Sequence, residues 1–268
     1  MMKYNLHTHT ARCNHATGTD REYVEAAITA GMKVLGFTDH CPQFFPDRDY
    51  YSYFRMFPEQ AHEYVSSVRA LQKEYAADIR LLLGFETEYY PETYDRFAEF
   101  AAQLGLDYMI MGQHFVGNEY DEGSYYAADG ARGERFLTQY VDQVKEGLEK
   151  GVFTYIAHPD IVWYKGKNSF YDEKMTELCL FARERGIPLE YNILGHINKR
   201  SYPEPRFWKI AAATGNSVVL GYDAHSPEAL LQTKPYEECL QKLNALGLKP
   251  MRFEDIRLVK PAFGEVGA

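Results

Sequence analysis

The chain alternates short apolar segments with helix-like segments seven times, and this alternation limits its fold more than any other feature. The apolar segments are predicted strands at residues 2–6, 33–38, 80–85, 108–112, 153–157, 187–191 and 217–221. The segments between and after them are predicted helices at residues 21–30, 58–76, 92–104, 132–150, 172–185, 204–213 and 227–244. A strand–helix repeat without a linker predicts a parallel sheet with right-handed crossovers.

Such a sheet is either open and doubly wound or closed into a barrel. No glycine-rich phosphate loop follows the first strand, as a dinucleotide-binding sheet would need. Polar residues also follow all seven predicted strands, and a barrel brings the carboxyl ends of its strands together in one ring. We therefore favour an α/β barrel that spans residues 1–268 as a single domain.

Histidines are concentrated at these strand ends. His7 and His9 are two residues apart at the first strand end, so both imidazoles can project to the same side. Six of the nine histidines lie at or just after a strand end, and His15 lies in the first loop. The six are His7, His9, His40, His114, His158 and His225. Glu86 and Asp223 are acidic residues at two further strand ends.

The joint pattern favours metal binding, because neutral imidazole is the commonest nitrogen ligand of divalent ions. Nine side chains are too many for one tetrahedral site, whereas two or three ions that share a carboxylate would use them all. Imidazole mixed with carboxylate suits zinc, iron or manganese, while magnesium and calcium prefer mostly oxygen ligands. Ions about 3.5–4 Å apart suit the hydrolysis of a phosphate ester.

Charge and composition restrict the partners and the location. A net charge of −9 argues against general nucleic-acid binding, but not against an anionic substrate, because bound ions can invert the local field. There is no signal-peptide pattern and no apolar run of about 18 residues, so no membrane association is expected. The four cysteines show no CxxC pairing and suggest reduced thiols in a cytoplasmic protein.

The motifs at the strand ends also resemble those of a known family. They are His7-Thr8-His9, His15, Thr38-Asp39-His40, Gly84-Phe85-Glu86, Gln113-His114, Ala157-His158-Pro159 and Tyr222-Asp223-Ala224-His225. In this order they resemble the polymerase-and-histidinol-phosphatase (PHP) superfamily of metallophosphoesterases, from residue 2 to about residue 230. Within it the chain is similar to the monofunctional histidinol-phosphate phosphatases. The resemblance implies a distorted (β/α)7 TIM-like barrel with three divalent ions.

The family resemblance also implies a reaction and a distribution of ligands. The reaction is the hydrolysis of L-histidinol phosphate to L-histidinol and phosphate in histidine biosynthesis. The implied ligands are His7, His9, Glu86 and Asp223 for the first ion; Glu86, His114 and His158 for the second; and His15, His40 and His225 for the third. A hydroxide between the first two ions would attack phosphorus. We expect Glu86, Asp223 and His225 to be catalytic, with Asp223 or a metal-bound water as the proton donor to the leaving alkoxide.

The residues that bind the substrate are less clearly marked. Related phosphatases place arginines after the fifth and sixth strands, where this chain has Lys165, Lys199 and Arg200. Each of these cations is a candidate for holding phosphate, and each could equally be a solvated surface residue. Glu88 is a further candidate, as a contact to a ligand or to the substrate amine, or as an alternative metal ligand. The aromatic-rich residues 44–57 are either a packing cap, which we favour, or a lid.

Two alternative functions remain open from the sequence. The first is a PHP enzyme that hydrolyses another phosphate ester, such as a nucleotide, an oligonucleotide or phosphotyrosine. The second is a non-catalytic metal-binding domain, which the presence of all nine candidate ligands disfavours. The expected partners are a small phosphorylated substrate and the phosphate product, without nucleic acid; the sequence does not indicate an oligomeric state.

Overall fold

Parallel strands form a barrel in the computed structural model of the chain, which describes residues 2–46, 50 and 52–262. The strands are β1 (Tyr4–Asn5), β2 (Val34–His40), β3 (Arg80–Thr87), β4 (Tyr108–Met111), β5 (Phe115–Val116), β6 (Tyr125–Tyr126), β7 (Leu189–Asn192) and β8 (Val218–Gly221). The helices are α1 (Asp20–Thr29), α2 (Ala61–Glu74), α3 (Tyr94–Ala102), α4 (Glu134–Glu149), α5 (Asn168–Glu184), α6 (Ile193–Ile197), α7 (Pro205–Thr214) and α8 (Thr233–Ala245).

The barrel is closed by short contacts between its two sheets. Strands β1, β2, β3 and β4 pair in that order, and β7 pairs with β8, all in parallel. Ile156 forms parallel bridges to Met111 and to Leu189, which joins β4 to β7. Thr8 bridges Ala224, which joins the last strand to the first. The predicted seven-stranded TIM-like barrel is therefore confirmed, with the fifth of its strands represented by the bridges of Ile156.

The barrel interior is apolar toward the amino ends of the strands and polar toward their carboxyl ends. Tyr108 and Tyr155 extend across the interior. Their hydroxyls donate hydrogen bonds to the Leu6 carbonyl at 2.9 and 3.0 Å. Leu6 follows β1, which pairs with β2 and not with the segment of either tyrosine. Leu82 belongs to the same interior cluster. Because side chains alternate along a strand, Glu86 faces the interior as Leu82 does, four residues nearer the carboxyl end of β3.

Three segments differ from the sequence prediction. The predicted fifth strand, residues 153–157, is reduced to the two bridges of Ile156, although Thr154 and Ala157 still donate backbone hydrogen bonds to Met109 and Met111 of β4. The loop after β4 contains the antiparallel hairpin of β5 and β6, which the sequence did not suggest. Helix α6 likewise follows β7 directly, where a loop was predicted. Among the described residues, no helix combines the length and the apolar character needed to cross a membrane.

Candidate metal centre

The carboxylate of Glu86 is the centre of a cluster of imidazoles at the carboxyl end of the barrel. Glu86 is 1% exposed. Five ring nitrogens surround its two oxygens: His158 Nε2 at 2.8 Å and His114 Nε2 at 3.6 Å from Oε1; His40 Nδ1 at 3.1 Å, His7 Nε2 at 3.4 Å and His9 Nε2 at 3.5 Å from Oε2. Asp223 lies beside them, with Oδ1 3.0 Å from His9 Nε2.

These close approaches do not satisfy the buried polar atoms. Within the described part of the chain, both oxygens of Glu86 and Oδ1 of Asp223 lack a hydrogen-bond partner, as does Nδ1 of His40. Buried polar atoms are almost always hydrogen-bonded, so several unpaired acceptors at one point are unusual. Carboxylate and imidazole atoms that converge in this way are suited to a divalent cation. The residues therefore fit a metal centre.

Hydrogen bonds on the far side of the rings set which nitrogen faces the cluster. Four imidazoles donate Nδ1–H to an oxygen: His7 to Glu190 Oε1 at 2.8 Å, His114 to Glu88 Oε1 at 2.8 Å, His15 to the Cys13 carbonyl at 2.7 Å and His225 to the Asp223 carbonyl at 2.9 Å. In each ring this leaves the Nε2 lone pair free for coordination. Ligating histidines are commonly oriented in this way by an outer hydrogen bond.

The structure brings all nine predicted ligands into one cluster. Sets of three whose ligand atoms lie within 4.8 Å of one another include His7 with His9 and Asp223, His7 with Glu86 and His158, His9 with His40 and Glu86, and His15 with His40 and His225. The last set, here called the outer triad, matches the predicted third ion. His114 joins through Glu86, at 3.6 Å. The division of the ligands among three ions stays a prediction.

The electrostatics of the cluster suit cations. Burial, together with the charge on His9, lowers the pKa of each member of the outer triad, that of His225 to about 3. These rings are therefore neutral at physiological pH, as metal ligands must be. At His9, burial alone would lower the pKa, but Asp223 and the other nearby carboxylates raise it to about 9. The carboxylates thus produce a strong negative field inside the barrel.

Two of the predicted ligands have an unusual backbone conformation. His158 has φ 29° and Asp223 has φ 52°, the left-handed region that favours glycine. Such residues cost about 1–3 kcal/mol each and persist where the surroundings hold them, often at functional sites. At His158 the backbone N–H donates to Glu190 Oε2 at 3.1 Å. The strained backbone therefore places this ligand where regular strand geometry would not.

Glu190 is a site residue that the sequence reasoning missed. It is fully buried on β7 and contacts His7 and the His158 backbone, and it accepts a hydrogen bond from Asn192 Nδ2 at 3.1 Å. A β-carbon at Gly221 would lie 1.8 Å from Glu190 Oε1, so glycine there makes room for this carboxylate. A glutamate within an apolar strand was the signal that could have revealed it.

The two other acidic residues near the ligands lie behind the imidazoles. Glu88 is 1% exposed. It accepts the hydrogen bond from His114 on one side and forms an ion pair with Arg55 on the other. Asp39 Oδ1 lies 3.5 Å from His9 Nδ1. Glu88 therefore matches the alternative in which it contacts a ligand, and Asp39 has a similar position behind His9.

A cavity of about 270 Å³ leads from solvent to the cluster. Beyond the ligands it is lined by Phe54, Tyr126, Leu194, Asn198, Arg200 and Tyr202. Of the three predicted phosphate-binding cations, Arg200 lines this cavity. Lys199 lines an adjoining groove that shares Arg200, and Lys165 stacks on Trp163 with Nζ 3.5 Å from the ring centre.

The aromatic-rich residues 44–57 make packing contacts and also contribute to the cavity lining, and a lid function stays a prediction. Phe44 packs against Phe100 with ring centres 5.1 Å apart, as a packing cap would. Phe54 instead lines the cavity and stacks on His15 and His40, with ring centres at 5.4 and 4.3 Å. Residues 47–49 and 51 of this stretch lie outside the described residues.

Gly112→Ala is expected to weaken metal binding without unfolding the barrel. A β-carbon at Gly112 would lie 1.9 Å from Glu86 Oε1, and the flexible glutamate side chain would have to move away. We expect about a 10–100-fold loss of Mn²⁺ affinity, measured by calorimetric titration, because displaced partners of a metal site typically have effects of this size. Gly133→Ala is the matched control, with no heavy atom within 4 Å of the added carbon. Equal affinity in both variants would contradict the central position of Glu86.

Known proteins resemble the chain in both sequence and fold. A "Probable histidinol-phosphatase" from Deinococcus radiodurans is 32% identical over 225 residues, which cover 82% of this chain and 85% of that protein. The histidinol-phosphatase of Bacillus subtilis is 26% identical over 254 residues, covering 84% and 94%. The structure of histidinol phosphate phosphatase from Lactococcus lactis, complexed with zinc, L-histidinol and phosphate, has a TM-score of 0.70 at 19% identity and covers 93% and 95%.

A family model agrees with these relatives. The model described as PHP domain matches residues 5–193, which include seven of the nine predicted ligands. Asp223 and His225 lie beyond the matched range, but the structure places them in the same cluster. The match covers more than half of the sequence, and it follows that the chain belongs to the PHP domain family.

Proposed function

We propose that the chain is a metal-dependent phosphomonoesterase that hydrolyses L-histidinol phosphate to L-histidinol and phosphate. The observation that carries this proposal is the convergence of seven imidazoles and two carboxylates at the floor of a cavity whose rim holds Arg200. Clustered divalent ions are suited to phosphoryl transfer to water, whereas an arginine is suited to holding phosphate oxygens. Such a site needs no serine or cysteine nucleophile.

The proposed division of the ligands is the one that the family resemblance implies, and the groups His7 with His9 and Asp223 and the outer triad support it. His7, His9, Glu86 and Asp223 would hold one ion, Glu86 with His114 and His158 a second, and the outer triad a third. When bound, these ions would bind phosphoryl oxygens, lower the pKa of a water and stabilise the leaving oxygen. Burial alone would raise the pKa of Asp223, but His7, His225 and His9 hold it well below its usual range. An ionised Asp223 is suited to ligation more than to proton donation, which favours a water as the donor.

The other cavity residues would bind and orient the ester. Arg200 is exposed at the rim, and its Nη1 donates to the Tyr202 hydroxyl at 2.7 Å, which holds the guanidinium toward the cavity. Phe54 and Tyr126 form an aromatic wall, with ring centres 6.3 Å apart. We propose that Arg200 contacts the phosphate and that this wall contacts the organic part. Lys199 and Lys165 would contribute positive charge from the adjoining surface.

We propose L-histidinol phosphate as the substrate because proteins that are similar to this chain are named as histidinol-phosphatases. Proteins from Deinococcus radiodurans and Bacillus subtilis that carry the histidinol-phosphatase name align over more than four fifths of this chain. The cavity of about 270 Å³ is of a size for a small phosphate monoester. The zinc, L-histidinol and phosphate in the Lactococcus lactis structure give a precedent within the same fold.

Arg200→Met is expected to raise KM for the phosphate ester by about 10–100-fold, the equivalent of one or two charge-assisted hydrogen bonds. The change in kcat should be smaller, because the groups that hold the ions are untouched. Steady-state rates of phosphate release measure both constants. Lys234→Met, at a side chain 86% exposed, is the control and should leave KM unchanged. An Arg200→Met variant with the wild-type KM would remove Arg200 from phosphate binding.

A panel of phosphate monoesters tests the substrate directly. The Mn²⁺-loaded chain would be assayed with L-histidinol phosphate, a nucleoside monophosphate, phosphotyrosine and an aryl phosphate at equal concentrations. We expect kcat/KM for L-histidinol phosphate to exceed the others by at least about 100-fold, since specificity requires differences of several kcal/mol in transition-state binding. A higher kcat/KM for another ester would retain the phosphatase and reject the substrate.

Two broader proposals concern the chain as a whole. We propose that it acts as one domain, because the His9 N–H donates to the Ala224 carbonyl at 2.9 Å and so joins its first and last strands. We also propose a cytoplasmic location. It is supported by the four cysteines, which are all buried free thiols, as is usual in reducing compartments.

A further inference from the structure

We propose that Arg55 is a positioning residue of the metal centre, which holds Glu88 so that Glu88 orients His114. This inference rests on the proposed function, because it concerns how a ligand of that centre is fixed. Arg55 lies in the aromatic-rich stretch, and no motif of that stretch connects it with metal binding. The structure places it 1% exposed, behind the imidazoles.

The chain of contacts runs from Arg55 to Glu86 in three steps. Arg55 Nη1 and Nη2 donate to the two oxygens of Glu88 at 2.8 and 3.2 Å. Glu88 Oε1 accepts the Nδ1–H of His114 at 2.8 Å. His114 Nε2 then faces Glu86 Oε1 at 3.6 Å. Each group has its orientation set by the one before it, and the last lies at the proposed shared ligand.

Charge explains why Glu88 needs this partner. Glu88 and Arg55 are each 1% exposed, and Arg55 Nη1 lies 2.8 Å from Glu88 Oε2. A buried charge needs a paired charge and hydrogen bonds to offset the solvation that it loses. Without Arg55, a buried carboxylate would face a cluster that is already rich in carboxylates, at a high electrostatic cost.

The geometry requires arginine more than a positive charge alone. The planar guanidinium contacts Glu88 through two nitrogens, while Nη2 also pairs with Glu119. Glu119 is held in turn by Ser52 Oγ at 2.5 Å. A lysine ammonium could not match both carboxylates with fixed direction, because it is a point charge on a flexible stem. Arg55→Lys therefore keeps the charge and removes the orientation.

Calorimetric titration with Mn²⁺ tests this role without relying on turnover. Outer partners of metal ligands typically alter affinity 10–100-fold, and we expect about a 10-fold weaker affinity for one ion in Arg55→Lys. Glu88→Gln should give a similar loss. The double variant should lose no more than Glu88→Gln alone, because Arg55 acts through Glu88. At saturating Mn²⁺, the KM of Arg55→Lys for an aryl phosphate should equal that of the wild type.

Two further variants keep the test decisive. Arg69→Lys is the matched control, because Arg69 makes a similar two-point ion pair with Asp107, at 2.9 and 3.1 Å, at the opposite end of β4. It should leave Mn²⁺ affinity unchanged. Glu119→Gln should lower Mn²⁺ affinity by less than Arg55→Lys does, because Arg55 keeps both of its contacts to Glu88. This variant can be measured even if Arg55→Lys does not fold.

Several results would overturn the inference. The first is an Arg55→Lys variant that binds Mn²⁺ as tightly as the wild type. The second is a double variant in which Arg55→Lys adds its full loss of affinity to that of Glu88→Gln. The third is a Glu119→Gln variant whose loss of affinity is as large as that of Glu88→Gln. The last result would mean that the salt bridges among Arg55, Glu88 and Glu119 support the fold in general and do not specifically orient His114. These outcomes leave the metal centre intact, whereas a wild-type chain that binds no Mn²⁺ would overturn the proposed function as well.

Discussion

Glu86→Gln is expected to lower the rate of phosphate release by at least about 1,000-fold, the scale of losing a key electrostatic group from a catalytic site. Both oxygens of Glu86 are buried among five imidazole nitrogens within 3.6 Å. The amide has nearly the same shape, but it has no negative charge and turns an N–H₂ group toward the ions. The measurement is kcat at saturating L-histidinol phosphate and Mn²⁺, with bound metal counted in the same samples.

Glu190→Gln provides a graded comparison for the same experiment. Glu190 accepts Nδ1–H from His7 and contacts no predicted ion directly. Its loss should lower the rate by about 10–100-fold, the usual effect of a residue that orients a metal ligand. The loss of rate should thus be much larger for the substitution at position 86 than for the one at position 190. Activity within tenfold of the wild type in Glu86→Gln would contradict the assignment of Glu86 as the shared ligand.

Removal of the ions is expected to lower the melting temperature by about 10 °C. Ions present at about 1,000 times their Kd stabilise the native state by about 4 kcal/mol. For a chain of this size each kcal/mol corresponds to about 2–4 °C. The structural reason is that Glu86 and Asp223 keep buried oxygens without a hydrogen bond in the described part of the chain, so an ion satisfies atoms that nothing else does.

Thermal unfolding in EDTA and in Mn²⁺ measures this stabilisation. The Glu86→Gln variant is the control, and its melting temperature should respond much less to Mn²⁺. Equal melting temperatures of the wild type in chelator and in Mn²⁺ would mean that the carboxylates are accommodated without ions. That result would remove the main physical reason for placing metal inside this barrel.

The barrel and the convergence of the nine candidate ligands were predictable from local sequence. Buried parallel strands read as apolar runs, and the side-chain period of two places His7 and His9 on one side of their segment. In the same way Glu86 lies at the end of an apolar run whose interior side contains Leu82. Because a barrel gathers all its strand ends, the order of motifs alone was enough to predict that these residues meet.

The supporting residues could not be predicted in the same way. Arg55 pairs with Glu88 and Glu119, which are 33 and 64 residues away in sequence, and only the three-dimensional packing reveals such a cluster. The positions of His158 and Asp223 depend on positive φ angles that no strand pattern suggests. Backbone irregularity and distant ion pairs are tertiary effects, and they override local propensity at the site.

The cations near the cavity show the same limit. Lys165, Lys199 and Arg200 are equally plausible phosphate ligands in the sequence, because all three follow predicted strands. The structure distinguishes them, since Arg200 lines the metal cavity and is braced by Tyr202, while Lys165 stacks on Trp163. Loop conformation decides which cation reaches the substrate, and the sequence pattern contains little information on it.

The most direct test of the central claim is to restore Mn²⁺ stepwise to the metal-free chain. Bound ions per chain and the initial rate of phosphate release from L-histidinol phosphate would be measured on the same samples. We expect no turnover without ions, binding of up to three ions per chain, and a rate that rises with occupancy. Full phosphatase activity in the folded, metal-free chain, or a folded chain that binds no Mn²⁺, would contradict it.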